Sequence, residues 1–213
     1  MLGSSKLTAL LGSAPRADAD NATLKAYAKT LQTDAGLALF LVVPDGKVPA
    51  DCRTTQAKNK AIKEAEAAGE PKPTGLHMAT HNSTHMGRWI DKYRKDRDPE
   101  TPVNMAMEVG RSRLVVIDVD TVAELDAFRQ TWAERSGDPA LAWVAPTVSS
   151  PGVQDPDTGE WVHRGGGHFY LRLPEGLELP PETPSTLTYG EAGAQWVARI
   201  KDAYVLIPPS QRK

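Results

Sequence analysis

One eight-residue run constrains this chain more than any other, Arg113-Leu-Val-Val-Ile-Asp-Val-Asp120. Its apolar part is hydrophobic at every position, the pattern of a central strand in a sheet covered on both faces. It ends in two carboxylates. Side chains at i and i+2 on a strand share a face, so Asp118 and Asp120 stand side by side. Taking even one unpartnered charge out of water is strongly unfavourable, and two acids on one face repel unless a cation sits between them. Hard oxygen ligands select Mg2+ or Mn2+. The competing explanation, that Asp120 or Thr121 only caps the following helix, accounts for one acid and not for both.

The flanking pattern is α+β. Residues 1–35 read as helical, from Leu7, Leu10 and Leu11 and then Leu24, Tyr27, Ala28 and Leu31, with a break at Gly12–Arg16. Asp20 or Asn21 can cap the second helix and Gly36 stops it. Leu37–Val43 reads as a buried strand running into a turn at Pro44-Asp-Gly46. Residues 51–73 form an exposed Lys/Ala/Glu helix in an insertion closed by Pro71 and Pro73. Residues 84–96 form a helix carrying Trp89, Ile90 and Tyr93, and Val103–Val109 is a strand. Thr121 caps a helix running through Ala133, with Glu124 completing a capping box. Trp143–Ser149 and Gly165–Leu173 are strands. Trp196–Ile200 and Tyr204–Ile207 read as a hairpin ended by Pro208-Pro-Ser210.

Three further features carry chemistry. In the strand after Gly165-Gly166-Gly167, the residues His168, Tyr170 and Arg172 share one face and Phe169, Leu171 and Leu173 the other. The glycines let another chain, or a phosphate, approach the backbone closely; a lone structural histidine is the alternative. His77, His81 and His85 are spaced by four, which on a helix would align three imidazoles as a metal site; a polar loop is the alternative, since Asn82, Ser83 and Thr84 are poor helix formers. Basic residues cluster over Arg88–Arg97, and Lys47, Arg111, Arg113, Arg199 and Lys201 lie at element ends, where they suit phosphates or form ordinary solvated surface.

Composition narrows the classes. A single cysteine, Cys52, excludes an internal disulfide and multi-cysteine zinc sites. No apolar run reaches the ~18 residues of a membrane span, and Met1–Lys6 does not open a secretory signal, so the expected location is the cytoplasm. With a net charge of −2, any nucleic acid must be met through a local basic surface or through metal ions.

Taken in order, these segments resemble the archaeo-eukaryotic primase superfamily, specifically the primase-polymerase domain at the N-terminus of phage and plasmid replication proteins. The acid-x-acid motif is Val116-Ile-Asp118-Val-Asp120, the small-x-His motif is Gly166-Gly-His168-Phe-Tyr170, and the closing hairpin runs into Pro-Pro-Ser at Tyr204-Val-Leu-Ile-Pro-Pro-Ser210. The resemblance spans residues 36–210 and has two departures. Pro151–Arg164 separates Thr147–Ser150 from Gly165, which reads as an inserted hairpin around Asp155-Pro-Asp-Thr-Gly159. The family's third metal-binding acid falls at Val197 or Ala198, neither acidic; Glu191 and Asp202 are the nearest carboxylates, and Asp202 is carried as the substitute ligand.

The resemblance implies an RRM-like mixed or antiparallel sheet with packed helices and an N-terminal αβ lobe. It implies one catalytic domain over 1–213, with sub-lobes near 1–110 and 111–213. It further implies synthesis of primers and DNA on a single-stranded DNA template from NTPs or dNTPs, with two divalent ions, Mg2+ or Mn2+, on Asp118 and Asp120 and no zinc. His168 would contact a nucleotide phosphate, and Gly166, Gly167, Arg172, Arg199 and Lys47 would complete the nucleotide site. The expected setting is a host-cell cytoplasm, with no membrane and with a helicase domain C-terminal to this one. The chain stops three residues after Pro-Pro-Ser, which reads as the N-terminal domain of something longer. The alternatives are a catalytically inactive nucleic-acid-binding module and a metallohydrolase built on His77, His81 and His85.

Overall fold

The computed structural model describes residues 5–44, 46–70, 72–150, 152–155 and 157–210. Residues 1–4, Asp45 of the expected turn, Pro71, Pro151, Pro156 of the expected hairpin insertion and residues 211–213 lie outside the described set. In chain order the elements are α1 (Ser5–Gly12), α2 (Asn21–Asp34), β1 (Ala38–Val42), α3 (Thr55–Ala68), a 3-10 helix (Gly75–Met78), α4 (Ser83–Lys95), β2 (Asn104–Glu108) and β3 (Leu114–Thr121). There follow α5 (Val122–Ser136), a second 3-10 helix (Pro139–Trp143), β4 (Val148–Ser149), β5 (Val153–Gln154), β6 (Trp161–Val162), β7 (Gly165–Arg172), β8 (Thr186–Tyr189), β9 (Trp196–Arg199) and β10 (Tyr204–Ile207). The class is α+β with antiparallel sheets, and no helix among the described residues is long and apolar enough to cross a membrane.

The chain divides into two compact units, Met1–Thr8 with Arg113–Lys201, and Ala9–Ser112 with Asp202–Lys213. The second unit holds the antiparallel sheet β1-β2-β10. Every residue of β1 is buried, and Tyr93 of α4 donates its hydroxyl to Val42 O at 2.9 Å. Caps define the helix starts: Asp20 accepts from Thr23 N at 2.9 Å, and Asn82 from Thr84 N and His85 N at 3.0 and 3.1 Å. Arg94 is buried, and its guanidinium donates to Ala17 O, Ala19 O, Asn21 Oδ1 and Thr101 O. It ties α4 to the segments around it and is not a surface cation.

The other unit holds the antiparallel sheet β4-β7-β3-β9-β8, with β3 at its centre. Ile117 and Val119 of β3, Phe169 of β7 and Trp196 and Ala198 of β9 form one core with Leu125 and Phe128 of α5. The Phe128 ring lies 4.8 Å from Phe169 and 5.1 Å from Trp196. Alternation along the strands puts Val116, Asp118, Asp120, His168, Tyr170, Arg172, Val197 and Arg199 on the face away from α5.

Three expectations about elements are corrected. Trp196–Ile200 and Tyr204–Ile207 do not form a hairpin: β9 pairs with β3 and β8, whereas β10 pairs with β2. The short link between them carries Asp202 at φ 45°, and each strand finds its apolar partners in a different sheet. Residues 143–149 are not one strand. Pro139 and the Asp138 cap start a 3-10 helix that takes in Trp143, and Pro146, which lacks an amide proton, precedes a strand of two residues. β8 was not expected, although Thr186-Leu-Thr-Tyr189 alternates as a strand does.

Candidate active site

The β3–β7 register sets Asp118 directly opposite His168. Because both side chains stand on the same face, His168 Nε2 lies 3.1 Å from Asp118 Oδ1. The other ring nitrogen, Nδ1, lies 3.5 Å from the Tyr170 hydroxyl, and the two rings stack with centroids 6.0 Å apart. Tyr170 is fully buried, so it backs the imidazole and fixes its direction. On the other side of β3, Arg199 faces Val116 across the ladder. Its Nε and Nη2 donate to Asp118 Oδ2 at 2.9 and 2.5 Å.

Asp118 is therefore held on both carboxylate oxygens, by the His168 imidazole on Oδ1 and the Arg199 guanidinium on Oδ2, with its side chain only 15% exposed. Burial works to raise its pKa. The hydrogen bond and charge of His168, followed by those of Arg199, outweigh that effect and hold the carboxyl well below the usual carboxylate range.

Asp120 differs. It is at the end of the strand, its side chain is 55% exposed, and its Oδ1 lies 3.2 Å from Nδ1 of His163. Its amide donates to Glu124 Oε2 at 2.6 Å, while Thr121 Oγ1 accepts from Glu124 N at 3.2 Å. Thr121 thus caps α5, while the Glu124 carboxylate accepts one residue earlier than in a capping box, and the two bonds fix the point where β3 becomes α5 and with it the base of the Asp120 side chain. Capping and the acid pair are thus not alternatives: Thr121 caps, and both aspartates remain on the sheet face.

The glycines before His168 serve the sheet. A Cβ at Gly166 would stand 2.2 Å from Val119 O, and one at Gly167 2.4 Å from Val148 O. The close approach they permit is that of β3 and β4, and their missing side chains need no phosphate to explain them. Arg172 lies on β7 opposite Leu114, on the His168 face. Lys47 and Asp202 belong to the other unit. Lys47 is exposed, with its carbonyl accepting from the Tyr204 hydroxyl, and Asp202 is exposed in the link between β9 and β10.

The histidine series does not share one helix. His77 is in a 3-10 helix, His81 in the following link, and His85 in the first turn of α4, stacked on Trp89 at 6.4 Å. The basic run on α4 is largely engaged locally: Lys92 with Asp96, Arg94 in the interior, and Arg97 over the Tyr93 ring at 4.1 Å.

Among the described residues, no group of three or more His, Cys, Asp or Glu side chains is arranged to hold a metal ion. The two carboxylates on one face do suit a Mg2+-like ion, which is commonly bound by one or two carboxylates and completed by water and substrate phosphates. Among the described residues no third carboxylate joins them in a metal-holding group. Val197 is the residue facing Asp118 across the β3–β9 ladder, while Ala198 points into the core. Arg199, two residues along, reaches Asp118 instead.

Sequence reasoning missed His163. The signal available was its place at the end of the inserted segment, two residues before the first glycine. The Arg199–Asp118 pair was invisible because it depends on a register between strands 81 residues apart in the chain.

A protein-family model described as bifunctional DNA primase/polymerase, N-terminal, matches residues 28–213. No curated protein matches the chain.

Proposed function

Because this chain belongs to the Prim-Pol family of bifunctional DNA primase/polymerase N-terminal domains, we propose that it catalyses nucleotidyl transfer, building primers and DNA on a single-stranded DNA template. The single observation that carries the reading is the pairing of Asp118 with His168 across one face of a sheet whose next acid on that face is the exposed Asp120. We assign the five-stranded sheet and α5 to the RRM-like core of the superfamily. On the family resemblance we assign the domain to phage or plasmid replication, beside a helicase further along the protein.

The roles follow from the charges. Divalent cations, Mg2+ or Mn2+ and two in the family pattern, would be held by Asp118 and Asp120 and would supply charge neutralisation at the triphosphate and activation of the primer 3′-hydroxyl. His168 and Arg199 both contact Asp118. With a nucleotide bound, the N–H donors of these two groups would be close enough to turn from the carboxylate to the phosphates and offset their negative charge. Arg172, on the same face, extends the positive surface along β7.

A second reading is favoured by a specific observation. Asp118 already has a nitrogen partner on each oxygen, His168 on one and Arg199 on the other, and Val197 stands where a third carboxylate would face it. A domain so arranged could bind nucleic acid without catalysis. Primer synthesis on a single-stranded template, with Mg2+ or Mn2+ and mixed NTPs and dNTPs, separates the two. Catalysis predicts product from the wild type and none from Asp118→Ala or Asp120→Ala. Absence of product from the wild type under every metal and nucleotide mixture leaves the binding module.

A further inference from the structure

We propose that the hairpin β5–β6, inserted between β4 and β7, is a binding element for single-stranded nucleic acid, with Trp161 as the stacking surface for one base and Arg164 as the contact for its phosphate. The proposal deepens the reading of the site given above and rests on it.

Among the described residues, the hairpin is a paired two-stranded element that reaches Asp120 through His163. Val153 and Gln154 pair with Val162 and Trp161. Its two legs meet at the base, where Gly152 (φ 77°) lies so close to Arg164 that a Cβ would stand 2.9 Å from the Arg164 Cα. His163 adopts φ 54°, a conformation that L residues rarely hold, and from it reaches Asp120 at 3.2 Å. The hairpin is thereby fastened to the same carboxylate that the proposed chemistry requires.

Its side chains are placed to meet a ligand and not to fill a core. Trp161 is 50% exposed and Val162 is also exposed. The Arg164 guanidinium lies over the Trp161 ring, 4.8 Å from its centroid, which places an indole and a cation together at the surface. A base offers a π-face to the indole, and its phosphate offers oxygens to the guanidinium. The tip is unsuited to phosphate, since it carries Asp155, Asp157 and Glu160, with Asp155 Oδ1 occupied by the amides of Asp157 and Thr158. A polyanionic strand would therefore lie at Trp161 and Arg164 toward the base of the hairpin, and not over its acidic tip.

The test measures binding separately from synthesis. Fluorescence anisotropy of a labelled oligothymidylate, with the full chain and a chelator present, gives affinity without metal or turnover. Trp161→Ala is expected to weaken binding roughly tenfold and Trp161→Phe to restore most of it. Arg164→Ala is expected to weaken binding and lower the slope of log affinity against log salt by about one. Thermal melts of each variant check that the fold is intact, as truncation of a half-exposed side chain should leave it.

Unchanged affinity in Trp161→Ala, or no oligothymidylate binding by the wild type, overturns the proposal. The primer assay keeps the two readings apart. Synthesis lost in Asp118→Ala but untouched, along with affinity, in Trp161→Ala sinks the hairpin and leaves the catalytic reading standing. Weakened binding in Trp161→Ala from a wild type that synthesises nothing upholds the hairpin and removes catalysis.

Discussion

Asp118 shows what a single side chain can report. Its neighbours hold its folded-state pKa below the unfolded value. The stabilisation from its ion pairs is therefore complete above the unfolded carboxylate value of ~4 and is lost as the pH falls toward the folded one. Denaturant midpoints of the wild type should drop on acidification below about pH 4, and Asp118→Asn should flatten that drop. An identical pH profile in the variant would mean that the carboxylate is not charged against Arg199 and His168 in the folded state. The shared face of Asp118 and Asp120 was legible because a strand repeats every two residues. The partners of Asp118 were only half legible: His168 could be placed on a face, but which residue it would meet depended on a register that no local pattern encodes.

Elements were read well where their signals are local. Asp20, Thr121 and Gly36 mark helix ends by capping and left-handed backbone, and α2, α4 and α5 lie close to where periodicity puts them. Pairing was not legible, and the two strands after Gly193 show why. Four residues of link suit a hairpin, but the partners of β9 and β10 are chosen by side-chain fit to strands far earlier in the chain. The glycine triplet makes the same point in reverse, since its requirement comes from strands that sequence alone does not bring alongside. Gly166→Ala would set a methyl group 2.2 Å from Val119 O, against backbone that cannot swing away. The expected loss is at or above the top of the ~1–3 kcal/mol range for overpacking, read as a lowered melting temperature, with loss of the Asp118–His168 alignment read as lost primer synthesis. A variant that melts with the wild type would show that β3 and β7 are not packed as described.

At the scale of the whole molecule, the site-bearing unit has its own core. Ile117, Val119, Leu125, Phe128, Phe169, Trp196, Ala198 and Ile200 all come from Arg113–Lys201. A fragment spanning 113–201 should therefore unfold in a cooperative transition on heating; a featureless melt would show that the unit depends on the remainder of the chain for its fold. The other unit is completed late. β10 pairs along β2, with Met105 opposite Ile207, and Ser210 Oγ accepts from Met105 N at 2.8 Å and donates to Met105 O at 2.7 Å.

That pairing bears on how the protein is made. As the chain leaves the ribosome, β2 can join β1 at once, but the strand for its second side follows about a hundred residues later, on the order of 5–20 s at ordinary synthesis rates. For that interval a nascent two-stranded sheet presents a bare edge to other chains. β2 is only five residues long, Asn104–Glu108, and ends in a carboxylate, two features that make such an edge a poor template for aggregation until translation delivers its own partner.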